Sequence, residues 1–167
     1  MVDQAHIQAL FDKNFIESKG RIIIHSDGKL DVIQETNGVK VTVIVKRDIY
    51  EFPIKFDVVE GNFGANSCDL RSLKGFPRII EGDLYTKFNP HLTFDHFDID
   101  AVEGFWSTDY RANQPYLKML VANEIRIAGA DTKMLNILNK YAGQGKKGSL
   151  ACAAELADAG FKAHAQW

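Results

Sequence analysis

Two cysteines, four prolines and the lack of any long apolar run set the first limits on this 167-residue chain. Cys68 and Cys152 stand 84 residues apart. That fits reduced thiols and excludes the dense disulfide framework of a small secreted domain. No stretch approaches the roughly 18 apolar residues of a membrane span. Charge of one sign is scarce too: 20 Lys+Arg against 22 Asp+Glu leave a net −2. The chain as a whole is therefore not a polycation built to coat nucleic acid. The opening Met1-Val2-Asp3-Gln4-Ala5-His6 has no basic region followed by an apolar stretch, so no secretory signal is expected and a cytoplasmic location is. What is present is ordinary for a globular protein: 46% hydrophobic and 25% charged residues. The length allows one domain, or two small subdomains sharing an interface.

The charge is unevenly spread. Residues 1–107 carry a net −5 and residues 108–167 a net +3. The hydrophobic periodicity changes at the same place, which predicts a three-part organisation: an N-terminal helix over 1–20, a β-rich solenoid over 21–107 and a helical C-terminal subdomain over 108–167. Ile7, Leu10, Phe11 and Phe15 recur at helical spacing, and Gly20 is the expected stop. Arg21 to His25, Leu30 to Ile33 and Val39 to Lys46 are rich in branched residues and predict strands. Ser26-Asp27-Gly28 and Asn37-Gly38 between them are turn chemistry.

The middle of the chain repeats itself. Val58-Val59-Glu60-Gly61-Asn62-Phe63 returns as Ile79-Ile80-Glu81-Gly82-Asp83-Leu84 and again as Ala101-Val102-Glu103-Gly104-Phe105-Trp106. The glycines are 21 and then 22 residues apart. A period in the low twenties predicts stacked coils, because one coil cannot bury its own apolar side. Ile49/Leu70/Leu92 and Val59/Ile80/Val102 should then lie above one another inside. The recurring glycine is expected to let the chain bend sharply. The third copy reads as worn, since Asn89-Pro90-His91 and Asp95 to Asp100 fit the register poorly. A β-meander with accidental similarity at its turns is the competing reading.

Beyond the repeat, helix is expected throughout. Pro115 can start one with Tyr116, Leu117, Leu120 and Val121 on its face. Asp131 or Thr132 can cap the next, with Met134, Leu135, Leu138 and Tyr141 as the buried stripe. Ser149 is expected to cap the last, and Gly160-Phe161 to end it with a left-handed residue and a hydrophobic contact. The fold class expected is α+β: N-terminal helix, short β-solenoid and helical C-terminal cap.

Asp27-Gly28-Lys29-Leu30-Asp31-Val32, Phe52-Pro53-Ile54-Lys55-Phe56, Leu70-Arg71-Ser72-Leu73-Lys74-Gly75-Phe76-Pro77 and the Glu-Gly hexamers together resemble the degenerate leucine-rich-repeat-like proteins of large tailed bacteriophages. The resemblance covers about residues 20–106, with a looser match in the C-terminal tail. It implies a small solenoid and a phage origin, and it supplies no catalytic residues. The family's Cys/Ser-x-Asn-Asn turn is missing; Gly64 to Cys68 and Tyr85 to Asn89 stand in its place.

Candidate chemistry is sparse. Asp95-His96-Phe97-Asp98-Ile99-Asp100 gathers carboxylates and an imidazole, but lacks the fixed spacing of a metal-ligand motif. It reads first as a solvated edge, and no metal or cofactor is expected. His91-Leu92-Thr93 supplies only one half of a two-histidine phosphoesterase, and no second half exists. Gly143 to Ser149 fails the phosphate-loop pattern. Lys146, Lys147 and Ser149 at a helix start remain an anion-binding candidate beside the plainer reading of a soluble loop. Both cysteines read as packing residues.

The function expected is therefore binding without catalysis: a phage-encoded accessory protein that engages a host or phage protein in the cytoplasm of an infected cell, in host takeover or anti-defence. Asp83, Asp95, Asp98, Asp100, Trp106 and Asp109 are the candidate partner-binding residues. One alternative is nucleic-acid binding through Lys133, Lys140, Lys146, Lys147 and Lys162, which predicts steep salt dependence. Another is an enzyme with an unfamiliar site near Asp95–Asp100. No membrane role is expected.

Overall fold

The computed structural model describes residues 2–167. Helix α1 spans Gln4–Asn14, and the Asp3 carboxylate accepts a hydrogen bond from the His6 N–H at its start. The helix stops six residues earlier than the periodicity suggests. Phe15–Ser18 forms strand β1 instead, paired antiparallel to β4 (Val41–Val45). Phe15 stacks on Phe11 at 5.4 Å and meets Phe52 and Phe56 edge-on, so it is buried as a strand residue just as it would be on a helical stripe. Periodicity alone could not separate the two. Lys19, with φ +63°, turns the chain into β2 (Gly20–Ile24), which pairs antiparallel with β3 (Leu30–Gln34).

A β-solenoid of about four turns follows. In the two middle coils short strands meet at the Glu-Gly corner; in the first coil residues 35–40 join them, and in the last, one continuous strand runs through Glu103-Gly104. On one side β3, β5 (Phe56–Val59), β7 (Ile79–Ile80) and the start of β9 (Ala101–Asp109) stack in order. On the other, β4, β6 (Gly61–Gly64), β8 (Leu84–Tyr85) and the rest of β9 do the same. Val32, Val59, Ile80 and Val102 form one buried inner ladder, and Val43, Phe63, Leu84 and Trp106 the other. Ladders of this kind let each coil bury its apolar side against the next.

The repeated glycines sit on one rung line: Gly82 N donates to Gly61 O and Gly104 N to Gly82 O, both at 2.9 Å. Their role is close approach, not an unusual bend. A Cβ at Gly61 would lie 1.9 Å from Val41 O, at Gly82 2.2 Å from Asn62 Oδ1, and at Gly104 2.0 Å from Asp83 Oδ1. The crowding atoms are themselves structural, since Asn62 Oδ1 accepts from Asp83 N and Asp83 Oδ1 from Phe105 N.

The third side has little regular strand but keeps the same rungs. Ile49, Leu70 and Leu92 are tied through Arg71 N to Tyr50 O at 2.9 Å and Thr93 N to Arg71 O at 3.1 Å. The third copy is not worn in space. Buried Asn89 accepts from the N–H groups of Cys68 and Leu70 at 3.0 Å each and donates to the Ala65, Thr86 and Lys87 carbonyls. One side chain thus satisfies a corner that would otherwise bury unpaired backbone groups.

The C-terminal segment is not helical throughout. Tyr116–Val121 is a 3-10 turn, and Ala122–Ala128 forms β10, which runs parallel beside β9 from Ala122–Val102 to Ala128–Asp109. The alternation that places Ile125 and Ile127 inward, with Glu124 and Arg126 outward, has the period of a strand. Helix α2 (Thr132–Lys140) starts at Asp131, whose carboxylate accepts from Lys133 and Met134 N–H, and it buries Met134 and Leu138. Helix α3 (Lys146–Asp158) starts after Gly145, so Ser149 lies inside its first turn and donates to the Lys146 carbonyl instead of capping. Gly160 has φ +93°, and Phe161 N reaches back to Leu156 O. One hydrophobic cluster runs from Phe11 to Leu156. No helix among the described residues is long and apolar enough to cross a membrane.

Candidate functional site

Strand alternation that sends Phe63, Leu84, Trp106 and Ile125 inward sends their neighbours outward. In register across the sheet, those neighbours are Ile16, Ile44, Gly64, Tyr85, Ser107 and Arg126. They form one continuous row perpendicular to the strands. At one end Ile16 and Ile44 are 54% and 49% exposed, which is unusual for a paired aliphatic couple. Gly64 leaves a gap in the middle. At the other end Phe105 meets Tyr85 edge-on at 5.1 Å, and the Arg126 guanidinium lies 3.8 Å above the Phe105 ring.

The row is grooved. A recess of about 320 Å³ is lined by Thr42, Ile44, Asn62, Gly64, Asn66 and Tyr85. A second, of about 470 Å³, shares Asn66 and Tyr85 and adds Lys87, Phe105, Ser107 and Arg126, with Leu135 of α2 at its edge. Asn66 Oδ1 accepts from Lys87 N at 2.7 Å and fixes the turn that carries Lys87. Arg126 also pairs with Glu124. Burial, and then the Asp83 carboxylate, push the Tyr85 phenol above its ordinary range, so it stays a neutral donor.

The residues singled out from the sequence fall elsewhere. Trp106 is fully buried, donates from Nε1 to Thr86 Oγ1 at 3.0 Å, and cannot anchor a partner. Asp83 and Asp109 are corner residues that accept from the Phe105 and Phe88 N–H groups. Asp98 pairs with Lys55 at 3.3 Å, and Asp100 with Arg78 at 3.1 Å; Asp95 is exposed. Arg78 also holds Asp57 at 2.9 Å, which makes an Asp57–Arg78–Asp100 charge ladder over three coils. Asp98, Asp100 and Lys146 line the same shallow cavity with Phe97 and Trp167, so the acidic candidate and one lysine of the anion-binding candidate face each other. Lys147 lies beside them in the sequence, exposed on the first turn of α3. Lys133 and Lys140 lie on α2, with Lys140 engaged by Glu155, while Lys162 is exposed beyond α3.

Among the described residues one cluster has ligand atoms close enough for a metal: His25, Asp31 and Asp57. Its members are already partnered. His25 Nε2 lies 2.7 Å from Asp31 Oδ2, Asp31 Oδ1 accepts from Val58 N, and Asp57 holds Arg78. The two cysteines are buried, and burial pushes both thiols up to about 11.

The outward row was missed in the sequence although a signal existed. Gly64, Tyr85 and Ser107 each stand three residues beyond a corner glycine, in phase with the repeat. No family model, curated protein or solved structure matches this chain.

Proposed function

We propose that this chain is a non-enzymatic binding protein that docks a protein partner along the Ile16–Ile44–Gly64–Tyr85–Ser107–Arg126 row. The observation that carries the reading is the row itself: six strands present one in-register line, grooved in the middle, with exposed aliphatic residues at one end and stacked aromatic and cationic groups at the other. Interfaces draw on such aromatic and arginine groups at their centres. The resemblance to the leucine-rich-repeat-like proteins of large tailed phages supports a phage-encoded accessory role, with a host protein as the partner in the infected cell, in host takeover or anti-defence. The C-terminal helices act in this reading as the solenoid's cap, a role supported by the way α2 meets the outer edge of β10.

The test is capture of partners by tagged protein at modest salt, in parallel with an Ile44→Glu/Tyr85→Ala variant of unchanged melting temperature. A partner held by the wild type and lost by the variant is the expected result. Retention that ignores the substitutions, or no retention at all, removes the reading.

A further inference from the structure

Three metal-ligating side chains converge on the β3–β5–β7 side of the solenoid, away from the docking row. His25 follows β2, Asp31 lies on β3 and Asp57 on β5, and one ligand atom of each lies within 4.8 Å of the other two. Solvent reaches them: the side chains are 42%, 17% and 25% exposed. A bulge brings them together. β3 and β5 pair at Leu30–Phe56 and next at Val32–Val59, so Asp31 alone stands opposite both Asp57 and Val58. Bulges re-aim side chains, and they are rare between parallel strands. Each carboxylate is then held through one oxygen. Asp31 Oδ1 accepts from Val58 N at 3.0 Å, and Asp57 Oδ1 from Arg78 Nε at 2.9 Å. Outer hydrogen bonds of this kind orient metal ligands. The bond to Val58 N accounts for Asp31 Oδ1 as a patch on the bulge. It does not account for Oδ2, which lies 2.7 Å from His25 Nε2.

We propose that His25, Asp31 and Asp57 bind a divalent transition metal, zinc foremost, which clamps the β2–β3 hairpin to the next coil. Charge supports a cation. Among the groups in contact, Asp31, Asp57 and Asp100 face Arg78 alone, while Lys55 answers Asp98 and Lys29 answers Asp27. With a neutral imidazole two negative charges remain, the amount a dication cancels. The donor set decides the class. One imidazole nitrogen with two carboxylates suits zinc, whereas magnesium and calcium favour all-oxygen surroundings. Distance agrees. Zinc bonds near 2.0 Å in a tetrahedral site set ligand atoms about 3.3 Å apart. That spacing falls between the 2.7 Å of the His25–Asp31 pair and the 4.8 Å span of the cluster. The His25 ring, the most exposed of the three, has only to withdraw slightly for an ion to replace the proton it shares with Asp31. Three protein ligands leave a fourth position to water.

The test is calorimetric titration of Zn2+ into the full-length protein at pH 7, with thermal unfolding in parallel. One ion per chain and a raised melting temperature are expected, since an ion held only by the folded state stabilises it. His25→Gln and Asp57→Asn should each weaken binding at least about tenfold and remove the thermal gain. His96→Gln, outside the cluster, should change neither. His25→Gln keeps the test valid if Asp57→Asn does not fold, because the His25 ring is largely in solvent. Co2+ should give the visible absorption of a four-coordinate ion in wild type and lose it in His25→Gln. No Zn2+ binding below about 1 mM overturns the site. Binding undiminished in both variants places the ion on other side chains and overturns it equally. Mg2+ or Ca2+ binding more tightly than Zn2+ overturns the choice of metal.

Discussion

Asn139 is bound to Ile125 twice. Its Oδ1 accepts from the Ile125 N–H at 2.8 Å, and its Nδ2 donates to the Ile125 carbonyl at 2.9 Å. A helix side chain thus occupies the place of a further strand on the outer edge of β10. Open edges of this kind recruit other chains, and natural proteins cover or interrupt them.

Asn139→Ala should therefore free both groups of Ile125. Each lost hydrogen bond is worth about 1 kcal/mol. The variant is expected to melt several degrees lower and to self-associate as concentration rises, measured by thermal unfolding and by size-exclusion chromatography with light scattering. A variant that stays monodisperse at all concentrations would place the protection of that edge elsewhere.

Gly61→Ala should abolish folding, because the new methyl would sit 1.9 Å from a backbone oxygen that is held in the sheet. Gly38 is the control. It has φ +79° but open space around it, so Gly38→Ala should cost only about 1 kcal/mol from the left-handed backbone. Soluble yield and circular dichroism separate the two outcomes. Equal behaviour would show that the rung can spread to admit a side chain.

Glu81 should make stability fall as pH rises. Burial first, and then Glu60 and Glu103 on the neighbouring coils, hold its carboxyl above the ordinary range. The folded chain binds this proton more tightly than the unfolded chain does. Its effect is therefore nil below the unfolded pKa and becomes destabilising as pH climbs through the folded one. Glu81→Gln is expected to raise the melting temperature at pH 7, less than it would without the nearby Lys40 ammonium, which partly offsets the two carboxylates. The gain should vanish toward pH 4. A gain that persists in acid would point to packing and not to charge.

Neither thiol should react in the native protein. Burial raises both Cys68 and Cys152 to about 11, so at pH 8 almost no thiolate exists. Ellman's reagent should titrate two thiols in denaturant and essentially none before it. Rapid native labelling of either cysteine would show that its surroundings open readily.

The coils were legible because their signal repeats. Val59, Ile80 and Val102 announce a rung by type and spacing together, and they pair as that spacing implies. Positions that share a rung but differ in chemistry were not legible. Asn89 stands where Cys68 stands one coil earlier, and its value lies in five hydrogen bonds that no composition reveals. Phe15 fits a helical stripe and a strand equally well, so only its pairing with Val45 decides. Trp106 is buried on its rung. It stands two residues past Gly104, the inward position already occupied by Phe63 and Leu84. The outward row stayed hidden because apolar periodicity marks the core, while Gly64, Tyr85, Ser107 and Arg126 share a line and no property.

Because Gly61, Gly82 and Gly104 are hydrogen-bonded on a single rung line, length in this protein comes in whole coils. Excising one full coil moves every later side chain down a storey and leaves each facing as before. Coils of 21 and 22 residues keep Val59, Ile80 and Val102 on one line, so the irregular side of a coil absorbs a single residue while the strands hold their facing. The molecule can be lengthened or shortened like a stack of plates, which makes the extent of its outer face adjustable without redesigning the interior.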